Sequence, residues 1–365
     1  MNVDTESKVI RKLWNDFETR YNRNSLITGI KGCGNNWAVG YYGNKDSHED
    51  SLLGRTMDAI RKETERCSTF SGFILIHSLA GGTGSGLGSL LHQMLREAYP
   101  MNYILSCAIA PYDGGETPLQ DYNTSLCLSA VHENTDGILF FKNDEALLKS
   151  KAACERKQDR KTEIPEPVSL VRCNQYIAHC IAELILPTDS VSYNSVRCAG
   201  FGLEPWELVR SVCPMPSTKF IHASCTPCIV QNIVPDAIKA ANHRHGDGYC
   251  TNISGLFVIR GSFPTFPVNS VIEKMKFVKW NPFPVDLWTA KANPLNFGKL
   301  TTLTAATNCS AIVPFLERTV NKARMKFSAN AYLHWYKKHG CTNDDFLEAF
   351  TNLDSIIASY NDAIR

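Results

Sequence analysis

Between the apolar run Phe73-Ile74-Leu75-Ile76-His77 and the helix-spaced set Leu87, Leu90, Leu91, Met94 and Leu95 stands Ala80-Gly81-Gly82-Thr83-Gly84-Ser85-Gly86-Leu87-Gly88. Glycines at alternate positions let backbone N–H groups approach an anion closely. The following helix adds the positive end of its dipole, and Thr83 and Ser85 add hydroxyl donors. That is the chemistry of a phosphate cradle. It is not a Walker A loop, because the sixth position after Gly81 is Leu87 where a lysine is needed, and the spacing also fails G-x-G-x-x-G. A dinucleotide oxidoreductase is thereby disfavoured. A tight strand-to-helix turn without a ligand is the plain alternative.

The other reactive residue types are less particular. Among 14 cysteines the one CxxC is Cys225-Thr226-Pro227-Cys228, with no second pair to complete a four-thiolate zinc site. His222, His243, His245 and Cys250 are near one another in sequence but fit no finger or ribbon spacing. The expectation is buried structural thiols and no cysteine-held metal. Glu204 and Glu207, ahead of Cys213-Pro214-Met215-Pro216, read on composition as surface acids of a helix. Asp4 and Glu6 read as acids capping a helix N-terminus.

These residues need elements to hold them. Val9, Ile10, Leu13 and Trp14 predict a helix from about Glu6 to Tyr21, and a Gly-rich loop covers 29–36. A second helix is expected over about Ser47 to Cys67. Strands follow at Phe73–His77, Ile104–Ile109 and Ile138–Phe141, a charged helix and loop at 142–163, and a helix at Cys173–Leu186. Strand and helix in alternation mean a parallel sheet with helices on both faces, the α/β class. From about Thr218 strands such as Leu256–Arg260 and Met275–Val278 alternate with loops holding Pro264, Pro267, Pro282, Pro284 and Pro294. Helices near Ile312–His339 and Thr342–Ala363 close the chain. In the last, Phe346, Phe350, Leu353, Ile357 and Tyr360 share a face, and Asp344 and Asp345 suit its positive end.

Composition bounds the class. The chain has 365 residues, 44% apolar and 20% charged, enough for a large core and about two domains. A net charge of +2 argues against electrostatically driven binding to nucleic acid or anionic membrane. No run of 18 apolar residues occurs, and the opening MNVDTESKVIRK has no apolar signal core. The expectation is a soluble α/β protein of a reducing compartment.

The segment Gly81-Gly82-Thr83-Gly84-Ser85-Gly86 resembles the signature loop that wraps GTP phosphates in the tubulin and bacterial cell-division GTPase superfamily. Val3-Asp4-Thr5-Glu6-Ser7-Lys8-Val9-Ile10, Gly34-Asn35-Asn36-Trp37-Ala38-Val39-Gly40-Tyr41, Tyr122-Asn123, Phe277-Val278-Lys279-Trp280 and His334-Trp335-Tyr336 resemble further tubulin segments in family order. Within the family the chain looks most like the delta-tubulins, with epsilon-tubulins the rival. The residues carrying this are His48-Glu49-Asp50-Ser51, Ser68-Thr69-Phe70-Ser71-Gly72-Phe73, Ile357-Ala358-Ser359-Tyr360 and Gln120.

The resemblance implies a GTP-binding domain over 1–187, a smaller α+β intermediate region over 188–310 and carboxy-terminal helices over 311–365. It implies GTP or GDP held by Ala80, Gly81, Gly82, Thr83, Gly84, Ser85 and Gly86 at the phosphates. Asn36 would sit on the γ-phosphate side, and Asp113 to Gln120 around the ribose. Asp144 and Asn174 would meet the guanine, and Asp4 and Glu6 would position Mg²⁺ through water. Glu207 takes the position of the family carboxylate that orients the attacking water in the subunit below. Leu170 stands where alpha and beta forms stack a tyrosine on the base.

Partners and place follow in the same way. They are other tubulins and microtubule or centriole components, with a cytoplasmic, cytoskeletal setting at centriole, basal body or cilium. Set against the family, the chain opens past the first strand, the G-Q-C-G-x-Q loop and the first helix. The expectation is an incomplete amino terminus and a sheet with an unpaired edge. It also stops at Arg365 with no acidic block, so motor recruitment by a tail is not expected. Two functions remain: a slow GTPase completed at subunit contacts, or a tubulin-fold structural protein with a degenerate nucleotide site.

Overall fold

Short strands open the chain. β1 (Asn2–Asp4) pairs in parallel with β2 (Leu26–Thr28) across α1 (Ser7–Phe17), and α2 (Trp37–Tyr41) and α3 (Leu52–Arg66) follow. The computed structural model describes residues 1–17, 21–45, 48–155, 170–193, 196–199, 205–228, 232–245, 248–263, 265–293 and 301–365. Glu204, Pro264, Pro294 and part of the 142–163 stretch lie outside those residues.

The chain continues as β3 (Gly72–Ser78), α4 (Gly88–Ala98), β4 (Tyr103–Ala110), α5 (Gln120–Asn134), β5 (Gly137–Lys142), α6 (Asn143–Glu155) and α7 (Leu170–Ile185). Then come β6 (Ser190–Tyr193), β7 (Val196–Ala199), α8 (Pro205–Val212), β8 (Phe220–Pro227) and α9 (Ile233–Ala241). The two-residue strands β9 (Arg244–His245) and β10 (Gly248–Tyr249) precede β11 (Asn252–Arg260), α10 (Val268–Lys274), β12 (Val285–Ala290) and β13 (Thr302–Cys309). The chain ends in α11 (Val313–Ser328), α12 (Leu333–Lys337) and α13 (Asn343–Ala363).

One nine-stranded sheet runs β3-β4-β5-β8-β13-β11-β12-β6-β7. Its first four strands are mutually parallel, as the alternating pattern predicts, and β13 joins both β8 and β11 antiparallel. Among the described residues β3 pairs on one side only, with β4, and Ile76 stands 61% exposed on it. β3 is one of the two edge strands of this open sheet.

The sequence pattern passed over α5 for a physical reason. Eleven of its fifteen residues are buried, because α4, α11 and α13 pack around it. A helix covered on all sides needs no apolar stripe, so Asp121, Asn123, Thr124 and Ser125 break the periodicity. The core beside it is closed by Tyr360 of α13, whose hydroxyl accepts from Phe220 N at 2.9 Å and donates to Asn308 Oδ1 at 2.9 Å. Asn308 in turn donates to the carbonyls of Val212 and Thr218. At the end of α7, Arg260 donates to the carbonyls of Glu183, Leu186 and Pro187 while pairing with the Glu183 carboxylate at 2.9 Å. These are the unpaired carbonyls of the helix C-terminus and just beyond it, which a buried cation suits.

Two expected elements differ. Met275–Val278 is not a strand: α10 runs to Lys274, and the segment makes one bridge, Asn252 to Phe277. The stretch Ile312–His339 is two helices, because Asn330 and Tyr332 take left-handed backbone (φ 52° and 62°) between α11 and α12. The last helix starts on a capping box, Thr342 with Asp345, in which each side chain takes the other's backbone N–H.

Candidate functional site

Parallel strands direct all their carboxyl ends to one edge, where α/β sheets form their clefts. Leaving that edge are the glycine loop after β3, the 111–119 loop after β4, and Asn143-Asp144 after β5. The glycine loop ends in a single π-helical turn, Thr83–Leu87, before α4. Its glycines do two different jobs. A Cβ on Gly86 would lie 2.2 Å from Trp37 O and 2.7 Å from Gly40 Cα, so backbone packs directly on backbone there. A Cβ on Gly81 would meet nothing closer than Asn35 Oδ1 at 3.9 Å. Gly81 therefore faces open space, and Gly86 serves the packing of α2 against the loop.

Three loops are stitched together at this edge. Thr5 and Thr83 share a hydroxyl hydrogen bond of 2.6 Å, which sets Asp4 and Glu6 beside the glycine loop. Asn123, fully buried on α5, donates from Nδ2 to Ala80 O and Asn35 O, both at 2.7 Å. Its Oδ1 accepts from Trp37 N at 2.9 Å and from the Tyr336 hydroxyl at 2.7 Å. One side chain thus fixes the glycine loop, the 34–36 loop and α12. Nothing in the sequence pattern marked Asn123 for this, beyond its place in a family-like stretch.

Asn36 sits at the N-cap of α2. Its Oδ1 accepts from Ala38 N at 2.8 Å and its Nδ2 donates to Trp335 O at 3.1 Å, leaving one amide hydrogen for any ligand. Asp4 Oδ1 accepts from Glu6 N at 2.9 Å, and Glu6 lies over Gly32, where a Cβ would stand 2.3 Å from Glu6 Oε1. Carboxylate and hydroxyl oxygens from Asp4, Glu6 and Thr83 make a hard donor set of the type that suits Mg²⁺ and its waters.

The residues that the resemblance assigns to sugar and base are held separately. Asp144 Oδ2 accepts from Asp113 N at 2.7 Å, joining the loop after β4 to the start of α6. Asp113 pairs with Arg318 at 2.7 Å, and Gln120 Oε1 accepts from Glu116 N at 2.7 Å. Tyr112 lies against Cys173, which brings the first turn of α7 and the exposed Asn174 to the same corner. Leu170 and Val171 open that helix at 63% and 62% exposure, so the departure noted at Leu170 leaves an aliphatic face at this corner.

Glu207 lies elsewhere. It is in the first turn of α8, whose Val209 Cγ2 stands 3.0 Å from where a Cβ on Gly137 would be. Gly137 is the first residue of β5, so α8 sits toward the opposite end of the strands from the glycine loop. Any action of Glu207 on a phosphate must be on that of another molecule.

Behind the glycine loop two histidines are held neutral. His77 makes contacts of 3.0 Å to Gly84 O and 2.8 Å to Ser106 Oγ, and burial pulls its pKa down to about 4. His92, 5.0 Å away ring to ring, contacts Gly88 O at 2.7 Å, and burial lowers it to about 3. The same desolvation pushes the Cys107 and Cys127 thiols up to about 12, so these behave as the inert structural cysteines the sequence suggests.

Residues 1–150 match the Tubulin/FtsZ family GTPase domain model. The chain is 28% identical to the tubulin delta chain of Homo sapiens over 98% of this chain and 85% of that protein. It is equally similar to the tubulin delta chain of Mus musculus, and 29% identical to the tubulin beta-2 chain of Geotrichum candidum over 93% of this chain and 75% of that one. Among the described residues no helix is long and apolar enough to cross a membrane.

Proposed function

We propose that this chain is a tubulin-superfamily protein that binds GTP or GDP at the carboxyl edge of its parallel strands and works as a subunit of tubulin-type assemblies, a reading supported by its likeness to the Tubulin/FtsZ GTPase domain and to tubulin delta chains. The observation that carries this is the joining of the Asp4–Glu6, 34–36 and glycine loops around the open side of Gly81 by Thr5–Thr83 and Asn123. The β- and γ-phosphates take backbone N–H groups of Ala80 to Gly86, with Asn36 on the γ side. Asp113 and Gln120 flank the ribose. Asp144 accepts from the guanine N1–H and 2-amino group, with Asn174 beside it. Asp4 and Glu6 hold the waters of a Mg²⁺, which when bound offsets phosphate charge.

The place of Glu207 supports hydrolysis in trans. A carboxylate at the far end of the strands reaches the phosphate of the next subunit in a head-to-tail stack and orients the attacking water there. The likeness to delta chains favours centriole, basal body and cilium assembly as the setting, with other tubulins and microtubule or centriole components as partners. A second reading is a tubulin-fold structural protein that does not turn over nucleotide. It is favoured by Gln120, whose Oε1 already accepts from Glu116 N, by Asn36, whose Oδ1 caps α2 and whose Nδ2 donates to Trp335 O, and by Leu170 at the base.

Denaturing the purified chain and chromatographing what is released tests the first reading. Near-stoichiometric guanine nucleotide supports it, and an empty chain that GTP cannot fill refutes it. Turnover that rises with assembly and disappears in Glu207→Ala separates it from the structural reading.

A further inference from the structure

We propose that Glu145, His222 and His243 form a site for a divalent transition metal, with Zn²⁺ the ion that suits it. One ligand atom from each of the three lies within 4.8 Å of the other two. The residues come from three separate elements: the first turn of α6, strand β8, and the segment just after α9. The two imidazole rings stand 4.8 Å apart between centroids, tilted by 49°. His222 is 2% exposed and its Nε2 has no hydrogen-bond partner. A ring nitrogen buried without a partner is an unmet demand, and a metal ion meets it.

His243 is fixed through its backbone, whose carbonyl accepts from Cys250 N at 2.9 Å, while its Nε2 has only a long 3.5 Å contact with Thr307 Oγ1. Two imidazole nitrogens and a carboxylate oxygen are the ligands of a three-protein-ligand zinc site, with water as the fourth. Donor atoms around tetrahedral Zn²⁺ stand roughly 3.3 Å apart, so closing onto the ion takes side-chain rotations of about an ångström.

Lys142 bears on the charge of the site. Its Nζ lies 3.1 Å from Glu145 Oε1, so an ammonium balances the carboxylate where the ion would sit. Metal and lysine compete, and removing the lysine charge strengthens metal binding. A second grouping among the described residues, His179, Glu183 and Cys225, works differently: Glu183 is already paired with Arg260 at 2.9 Å and takes a hydrogen bond from Thr302, so its charge is spent.

Co²⁺, a spectroscopic stand-in for Zn²⁺, tests the site in the full chain, with Mg²⁺ in excess to fill hard oxygen sites. The expected result is one Co²⁺ per chain, showing visible d–d bands without a thiolate charge-transfer band, and displaced by Zn²⁺. Binding weakens at least about tenfold in His243→Asn and in Glu145→Gln, since loss of even an outer-shell partner costs that much. It tightens in Lys142→Met and is unchanged in His179→Asn. Thiolate charge transfer, unchanged affinity in a folded His243→Asn or Glu145→Gln chain, or no gain in Lys142→Met overturns the proposal. Circular dichroism of each metal-free variant establishes folding, and Lys142→Met, which keeps the side-chain volume, decides if the ligand variants do not fold.

Discussion

Asn123→Ala is the sharpest test of how the nucleotide edge is held. The substitution removes four hydrogen bonds from a fully buried side chain. It leaves the carbonyls of Ala80 and Asn35, the N–H of Trp37 and the hydroxyl of Tyr336 without this partner. At about 1 kcal/mol for each buried group left unpaired, the loss is about 4 kcal/mol. With an unfolding entropy of about 2.1 cal/mol/K per residue, 365 residues give roughly 0.77 kcal/mol/K, so the melting temperature falls by about 5 °C. Asn123→Asp keeps both acceptor bonds but turns an oxygen toward two carbonyls, and is at least as damaging at neutral pH. Scanning calorimetry reads the stability, and chromatography of released nucleotide reads the site. A shift below about 1 °C with nucleotide retained would refute the view that one amide organises three loops.

Gly81→Ala leaves the melting temperature within about 1 °C because its Cβ enters open space, yet weakens nucleotide binding, whereas Gly86→Ala destabilises the fold by driving Cβ against Trp37 O; calorimetry and nucleotide titration of both variants distinguish the two jobs. Leu170→Tyr supplies a ring where the base end now has an aliphatic face, and tightens guanine nucleotide by about 1–3 kcal/mol in a titration. His77 and His92 have folded pKa values of about 4 and about 3, below the ordinary 6.5, so the unfolded chain binds more protons between those limits. Stability is therefore full above about pH 6.5 and falls as pH drops toward 4 and 3, and His92→Gln flattens that acid limb in urea titrations at stepped pH.

Some of this was written locally in the chain. The strand before Gly81, the helix after it and the alternation of elements follow from period and glycine placement, which act over a few residues. They dictated the parallel sheet and the phosphate-type turn. The acids in the first turn of α13 were legible for the same reason, since the positive end of a helix acts within one turn. Even here the pattern could not separate Gly81, facing open space, from Gly86, which is glycine because α2 packs on it. The helix α5 gave no amphipathic signal, because burial on every side removes the need for a polar face.

Only the tertiary structure decided the rest. Asn123 is an ordinary polar residue until folding brings Ala80, Asn35, Trp37 and Tyr336 around it. The separation of Glu207 from the glycine loop depends on α8 packing against the start of β5, a contact no local pattern states. His222 and His243 matched no ligand spacing because their third partner, Glu145, arrives from the first turn of α6. Hydrogen-bond and ligand geometry depends on distances across the fold, and a sequence fixes those only through the packing of all its elements at once.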